Sequence, residues 1–293
     1  MSVEVIRTGV AEQAAESAAR AARAAGLTVN EVDDVGTLSA AAHLMDVVWS
    51  NGDQPPLISA STLKALAHSG GYVSVASLGG EIVGALVGFL GLLDGRLQLH
   101  SHILGVSPTV QGRSIGFALK QHQRAWALAR DIATISWTFD ALVRRNAYFN
   151  LTKLGASITA YYENFYGAMT DAVNAGDESD RVFVEWDLAS RAVSELGERR
   201  GLEPDVDVLR KEGATVLLEA DDDERPLEGE QPSGETLLIR VPGDIVAVRA
   251  ADPGLARAWR QALRDTLGAA LARGYVATGM SRNGWYVLSS SRR

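Results

Sequence analysis

The segment LGVSPTVQGRSIGFALK, residues 104–120, constrains the fold more than any other part of the chain. It begins with strand-like apolar residues, passes Pro108, crosses a turn that holds Gly112 and Gly116, and continues as a helix-like run. Such a turn brings successive backbone N–H groups to a helix N-terminus, where the helix dipole favours an anion. Glycine lets the backbone approach a bound group closely, and Arg113 adds positive charge. The segment therefore predicts a strand–turn–helix unit that binds an anion.

Two familiar phosphate-binding patterns do not fit this segment. A P-loop needs Gly-Lys followed by Ser or Thr at the start of the helix, and the lysine is absent there. The dinucleotide pattern G-x-G-x-x-G is not matched either. An ordinary helix start that happens to contain glycine stays open as the alternative to an anion site.

The composition excludes several other classes of protein. The chain has 293 residues and a net charge of −8, so it lacks the basic footprint of a nonspecific nucleic-acid binder. It has no cysteine, which rules out disulfides and thiolate chemistry, and no metal site is predicted. Its longest apolar stretch, IVGALVGFLGLL, is shorter than the ~20 residues of a membrane span, and the N-terminus lacks a secretory signal. We expect a soluble, cytoplasmic protein without nucleic-acid or membrane partners.

The order of predicted elements indicates an α+β protein. Residues 37–188 read as two helices, three antiparallel strands, a helix, a strand, a helix and two strands. Further strand-like and helical segments follow residue 189. We predict an N-terminal helical extension (1–25), a main domain (26–189) and a C-terminal α+β subdomain (190–293). Either the preceding part of the chain or a second copy, in a homodimer, could cover the apolar faces of that subdomain.

A set of motifs points to one family. Residues 113–118 fit the pattern R/Q-x-x-G-x-G/A, and LHSHILGV, WTFD, RNAYFNLTKLGA and YYENFYG lie around it. With these motifs, residues 26–188 resemble the GNAT acyltransferase superfamily, and more narrowly a longer subgroup associated with N-acylation and N-succinylation of amino acids. The resemblance implies the GNAT fold, a mixed, mostly antiparallel twisted sheet flanked by helices. It also implies acetyl-CoA or succinyl-CoA as the acyl donor.

The resemblance assigns residues to coenzyme A. In the family the turn before the helix holds the pyrophosphate, and the exposed backbone of the preceding strand faces the pantetheine arm and the thioester carbonyl. An asparagine further along the chain contacts the same arm. The residues so implicated are Leu104, Gly105, Val106, Gln111, Gly112, Arg113, Ser114, Ile115, Gly116, Phe117, Ala118 and Asn146.

Candidates for proton transfer are less specific. His100 and His102 lie two apart on a strand and so face the same side, where one could take a proton from an amine. Both could instead be hydrogen-bonded residues of the sheet. Many family members carry a tyrosine as acid for the leaving thiolate, and Leu151 stands at that position here. Substitutes for it are Tyr148, Tyr161, Tyr162 and Tyr166, although a thiol leaving group need not have an acid.

Polar residues after the WTF strand indicate where an acceptor would bind. Asp140, Arg144 and Arg145 follow the carboxyl end of that strand, and either arginine could pair with a carboxylate. Solvated surface is the alternative for each arginine. Glu163 and Asn164 near the last strands are further candidates. The acceptor that we prefer is a small amino-acid-like amine.

These observations lead to two hypotheses about function. The first is a CoA-dependent N-acyltransferase in which the amine attacks the thioester directly in a ternary complex, since no cysteine can form an acyl-enzyme. The second is a CoA-binding module on the same fold without turnover, which the leucine at position 151 supports.

Overall fold

The computed structural model describes residues 3–49, 56–93, 95–110, 112–167, 178–198 and 203–290. The chain forms two compact units, residues 1–137 with 187–198, and residues 138–186 with 199–293. The domain boundaries predicted from the sequence, at residues 25 and 189, stay a prediction. None of the described helices is both long and apolar enough to cross a membrane.

The first unit is a five-stranded sheet with helices on both faces. Its strands have the order β1-β2-β3-β4-β5, and every neighbouring pair is antiparallel except β4–β5, which is parallel. The elements are α1 (Val3–Ala25), β1 (Thr28–Glu31), α2 (Val35–Trp49), α3 (Ala60–His68), β2 (Tyr72–Leu78), β3 (Glu81–Leu93), β4 (Arg96–Val106), a 3₁₀ turn (Pro108–Val110), α4 (Ile115–Leu128), β5 (Thr134–Phe139) and, after α5 of the second unit, α6 (Arg191–Glu198).

Local sequence explains how these elements begin, turn and pack. Ser59 caps α3 by accepting a hydrogen bond from the backbone N–H of Thr62 at 3.1 Å. Gly79 and Gly80 have φ values of 59° and 91°, which a two-residue turn between β2 and β3 requires. A Cβ at Gly105 would lie 2.7 Å from Met45 Sδ on α2. A Cβ at Gly84 would lie 2.9 Å from Ile115 Cγ2 on α4, so these two helices cover opposite faces of the sheet.

The second unit is also α+β. Its strands have the order β7-β6-β11-β12-β10-β8-β9, with β10 and β8 parallel and the other neighbouring pairs antiparallel. The elements are α5 (Arg144–Ala147), a π-helical segment (Tyr148–Lys153), β6 (Ser157–Tyr162), β7 (Arg181–Asp187), α7 (Val206–Lys211), β8 (Thr215–Ala220), β9 (Pro226–Glu228), β10 (Thr236–Arg240), α8 (Ile245–Ala251), α9 (Pro253–Leu263), a second π-helical segment (Arg264–Gly268), α10 (Ala269–Ala272), β11 (Tyr275–Met280) and β12 (Trp285–Ser290).

The predicted fold class is confirmed. Both units combine helices with strands, and the strand pairs are mixed but mostly antiparallel. Helices flank the sheet of the first unit, as the resemblance implied.

Candidate active site

A β-bulge in strand β4 changes which face of the sheet its side chains occupy. Gly88 of β3 pairs with Ser101, but Val87 pairs with Ile103, so His102 is an extra residue. Before the bulge, Ser101 faces α4, where its Oγ accepts a hydrogen bond from Lys120. After it, Ile103 and Gly105 face the core formed with α2. The bulge therefore lies directly before the strand segment that the sequence assigns to the acyl donor.

Strand β4 also separates from β5 at this point. The parallel pairing joins Leu99 to Ile135 and His100 to Ser136, and it extends no further in the described part of the two strands. From Ser101 to Val106, β4 remains paired with β3 on one side only. Backbone groups that point away from β3 therefore have no neighbouring strand among the described residues. Leu104 and Val106, both half-buried, lie in this segment.

The turn before α4 contains two left-handed positions, Gly112 and Ser114, on either side of Arg113. Gly112 has a φ of 86°, and a Cβ there would meet nothing within 4 Å, so the backbone is open to a bound group. Ser114 has φ 60° and ψ 22°, a conformation that is uncommon for a residue with a Cβ, and its side chain makes no capping hydrogen bond. Arg113 is exposed between them, and Gln111 lies outside the described residues.

The start of α4 leaves backbone donors without intrahelical acceptors. The first helical hydrogen bond runs from Ala118 N to Ser114 O at 3.0 Å. The N–H groups of Ile115, Gly116 and Phe117 precede it and have no acceptor within the helix. Ile115 and Ala118 are buried and anchor the helix, while Gly116 and Phe117 are half-buried. Donors at a helix N-terminus, beside a left-handed turn and an arginine, fit a phosphate or pyrophosphate.

The two predicted histidines lie together around one aromatic ring. The ring centroid of Phe89 is 5.0 Å from that of His100 and 5.7 Å from that of His102. Burial, together with the charges of nearby His102 and Lys120, lowers the pKa of His100 to about 4. Burial also lowers the pKa of His102. His100 is therefore neutral at physiological pH, which leaves a ring nitrogen lone pair for a proton, and the lowered pKa makes it a weaker base than a free imidazole.

Sequence reasoning missed a buried lysine beside these residues. Lys120 lies on α4, is 4% exposed, and donates a hydrogen bond from Nζ to Ser101 Oγ at 2.8 Å. The same Nζ lies 3.8 Å from the centroid of the Trp137 ring. Burial lowers the pKa of Lys120 to about 7. No signal in the sequence distinguishes this lysine from a solvated one, because its burial depends on strands far along the chain.

In the second unit, Asp140 is the centre of a buried ion network. Its carboxylate accepts hydrogen bonds from Arg260 at 2.8 and 3.0 Å and from Arg249 at 2.5 Å. Burial alone would raise the pKa of Asp140, but the hydrogen bonds and charges of Arg260 and then Arg249 bring it down to about 2. The carboxylate is thus held by the protein's own arginines.

The other predicted residues near Asp140 occupy a short helix and a π-helical segment. Arg144 and Asn146 are half-buried on α5, and Arg145 is exposed. Tyr148 Oη accepts a hydrogen bond from Arg282 Nε at 3.2 Å. Leu151, at the position of the family's tyrosine, is 2% exposed and belongs to the core.

Glu163 and Asn164 follow strand β6 in an exposed aromatic segment. Glu163 Oε2 lies 3.9 Å from Arg264 Nε. Asn164 has a φ of 45°, and its N–H donates to Asp180 Oδ1 at 3.0 Å. Asp180 also accepts hydrogen bonds from Tyr161 Oη at 2.6 Å and from Arg264. Tyr162 and Tyr166 remain exposed, and each packs against Phe165. Their roles, like those of the other predicted site residues, stay a prediction.

Solved structures of acetyltransferases match this chain. The ribosomal-protein-S18-alanine N-acetyltransferase of Escherichia coli is 17% identical, with 56% of this chain and 95% of that one covered and a TM-score of 0.45. An acetyltransferase of the GNAT family from Streptococcus pneumoniae is 14% identical, with 54% and 97% covered and a TM-score of 0.44. One from Elizabethkingia anophelis, solved with acetyl-CoA bound, is 15% identical, with 55% and 98% covered and a TM-score of 0.41. Two of the three, from Streptococcus pneumoniae and Elizabethkingia anophelis, are described as GNAT-family acetyltransferases.

No family model and no curated protein matches the chain.

Proposed function

We propose that the chain is an acyl-CoA-dependent N-acyltransferase of the GNAT type. It transfers an acetyl or succinyl group to the amino group of a small amino-acid-like acceptor. The observation that carries the proposal is the arrangement at the end of β4. Strand β4 contains a bulge and separates from its parallel neighbour β5 after His100. It leads into a turn with left-handed residues, and helix α4 begins directly after that turn.

The residues of the turn fit the phosphate groups of an acyl donor. The N–H groups of Ile115, Gly116 and Phe117 would donate to pyrophosphate oxygens, and Arg113 would add charge. The backbone from Leu104 to Val106 would bind the pantetheine arm through groups that β3 leaves free, and Asn146 would contribute a side-chain amide. Bound acyl-CoA would supply an activated acyl group: the C–N bond to the amine forms first, and the C–S bond then breaks and releases the CoA thiolate.

His100 is the group that we assign to the proton of the amine. It is half-buried, uncharged at neutral pH and close to the bulge, and a proton could reach it directly or through water. A backbone N–H of the separated segment of β4 would donate to the oxygen that becomes negatively charged. Because the chain has no cysteine, attack is direct and no acyl-cysteine forms.

A second candidate function is binding of CoA without turnover. Its support is Leu151, which stands where many family members carry an acidic tyrosine and is buried in the core. In the transferase hypothesis, by contrast, we propose that Tyr148 replaces that tyrosine as the acid for the leaving thiolate. Its hydroxyl accepts a hydrogen bond from Arg282.

Release of free thiol from acetyl-CoA and succinyl-CoA, with a panel of amino acids and small amines, separates the two candidates. Thiol release that depends on one class of amine, with the N-acyl product found by mass spectrometry, supports the transferase. Binding of either thioester without amine-dependent release supports the binding module. The ratio of rates for the two thioesters identifies the donor.

A further inference from the structure

We propose that Lys120 is a positioning residue whose ammonium fixes the point at which β4 and β5 separate, and so the fit of the acyl donor beside β4. The proposal rests on the proposed function, because it concerns the same opening. It assigns a role to a residue that no motif includes.

Besides a hydrogen bond to Gln123 Oε1 of its own helix at 3.4 Å, Lys120 contacts the first residues beyond the last strand pair. His100 and Ser136 are that pair, so Ser101 and Trp137 are the next residues along each strand. Lys120 Nζ donates to Ser101 Oγ at 2.8 Å and lies over the Trp137 ring at 3.8 Å from its centroid. One ammonium therefore holds both strands at the position where their backbone pairing stops.

Such a residue is an unfavourable choice for stability alone. Lys120 is buried, and no carboxylate lies within ion-pair distance of it among the residues that the structure describes. Burying a charge without a counter-ion is costly, and an apolar side chain of similar length would fill the same space. Residues that oppose stability concentrate at functional sites. Its contacts with both strands indicate what that function is.

The charged and titratable groups on neighbouring elements do not replace this ammonium. Glu31 of β1 accepts from Trp126 Nε1 at 2.7 Å, and the Tyr72 hydroxyl of β2 bonds His122 Nδ1 at 2.7 Å. The described acidic and basic side chains of α1 and β3 (Glu12, Glu16, Arg20, Arg23 and Glu81) are exposed or half-exposed. His100 of β4, whose pKa the charge of Lys120 lowers, and the nearby His102 are the titratable neighbours on that strand.

The junction is the place just beyond the His100–Ser136 pair where β4 and β5 separate. Loss of the proton from Lys120 should weaken the contacts that hold the two strands together there. A neutral amine no longer attracts the face of the Trp137 ring and donates a weaker hydrogen bond to Ser101. Because burial lowers the pKa of Lys120 to about 7, this change falls within an accessible pH range. Donor affinity that depends on the junction should therefore fall as pH rises through that value.

The test compares Lys120→Met with wild type and with Lys211→Met, which removes an exposed lysine at the end of α7. Binding of acetyl-CoA is measured by calorimetry at about pH 6 and about pH 8.5, on either side of the Lys120 pKa. We expect Lys120→Met to bind about tenfold more weakly than wild type at the lower pH, with most of the difference gone at the higher pH. Lys211→Met should match wild type at both.

Equal affinity of wild type and Lys120→Met at the lower pH overturns the proposal. So does a loss of the same size at both pH values, since a purely structural role is independent of the charge. If Lys120→Met does not fold, Ser101→Ala removes the acceptor alone and is judged by the same two comparisons.

A measurement without donor separates this proposal from the proposed function. Nitrogen-15 lysine NMR should show Lys120 titrating near neutral pH. The protection factors of the amides from Ser101 to Ile103, which correct for the intrinsic base-catalysed rise in exchange, should fall with that titration in wild type but not in Lys120→Met. If wild type binds no acyl-CoA, the proposed function fails while this readout still decides whether Lys120 holds the junction. Exchange that follows the same pH dependence in both proteins contradicts it.

Discussion

Nδ1 of His100 lies 3.5 Å from Oγ of Ser136, at the last paired position of β4 and β5. The contact orients Nδ1 toward strand β5. The other ring nitrogen, Nε2, is then the atom that we expect to take the proton of the amine substrate. The proposed base is thus held at the junction where the two strands separate. This relationship leads to a prediction about pH.

Replacement of His100 by Gln should lower kcat about 10²- to 10⁴-fold, because it removes the group that accepts the proton. In wild type, activity that depends on neutral His100 should be lost only as pH falls through about 4, the value to which burial lowers its pKa. His43→Gln, which changes an exposed histidine of α2, is the control and should leave rates unchanged. If the pH–rate profile of His100→Gln overlays that of wild type, His100 is not the base and its role is confined to packing in the sheet.

The left-handed backbone of Ser114 should be strained, in the turn that we propose binds the phosphates of the acyl donor. Replacing it by Gly should raise the free energy of unfolding by up to about 1 kcal/mol, since glycine adopts positive φ without a Cβ clash. Ser39→Gly, at an exposed position of α2 where the backbone is helical, should instead lower it by about 0.5–1 kcal/mol. Urea denaturation of the two variants measures the contrast. Equal effects in the same direction would mean that Ser114 is unstrained.

The Asp140 network should dominate acid stability in the second unit. Asp140→Asn leaves Arg249 and Arg260 buried around a neutral group, and it should lower the free energy of unfolding by about 3–5 kcal/mol. The folded pKa of about 2 lies below the ordinary 3.8, so this stabilisation is present above pH 3.8 and lost as pH falls through about 2. Asp222→Asn, on an exposed loop, is the control. If Asp140→Asn lowers the free energy of unfolding by less than about 1 kcal/mol, the ion pairs of Asp140 do not dominate the stability of this unit.

Parts of the fold follow from local sequence because their causes are local. The cap at Ser59, the glycine turn at residues 79–80 and the strand–turn–helix unit at 104–120 each depend on a few neighbouring residues. Helix α4 was only partly predictable from its sequence. Its apolar spacing predicts one buried face, with Ile115, Leu119 and Trp126 on it, and these are buried.

The same helix also buries residues that spacing assigns to solvent. Arg124 is fully buried, with Nε donating to the Leu188 carbonyl at 3.0 Å and a terminal nitrogen to Ser194 Oγ at 3.1 Å. Those partners lie about 64–70 positions away, and α1 packs against α4 as well. Such long-range contacts leave no periodic signal, which is why the polar residues Lys120 and Arg124 could not be identified beforehand. For the same reason, the arginine partners of Asp140 became apparent only in the structure.

The measurement that tests the central claim most directly is calorimetric titration of acetyl-CoA into wild type and into Gly116→Val. The claim is that the N-terminus of α4 binds the pyrophosphate of an acyl donor, and a β-branched side chain at Gly116 would block close approach of the backbone there. Gly9→Val, at an open position of helix α1, controls for valine in a helix. We expect wild type and Gly9→Val to bind acetyl-CoA and a folded Gly116→Val, checked by circular dichroism, not to bind it. Unchanged affinity in folded Gly116→Val, or no binding by wild type, would contradict it.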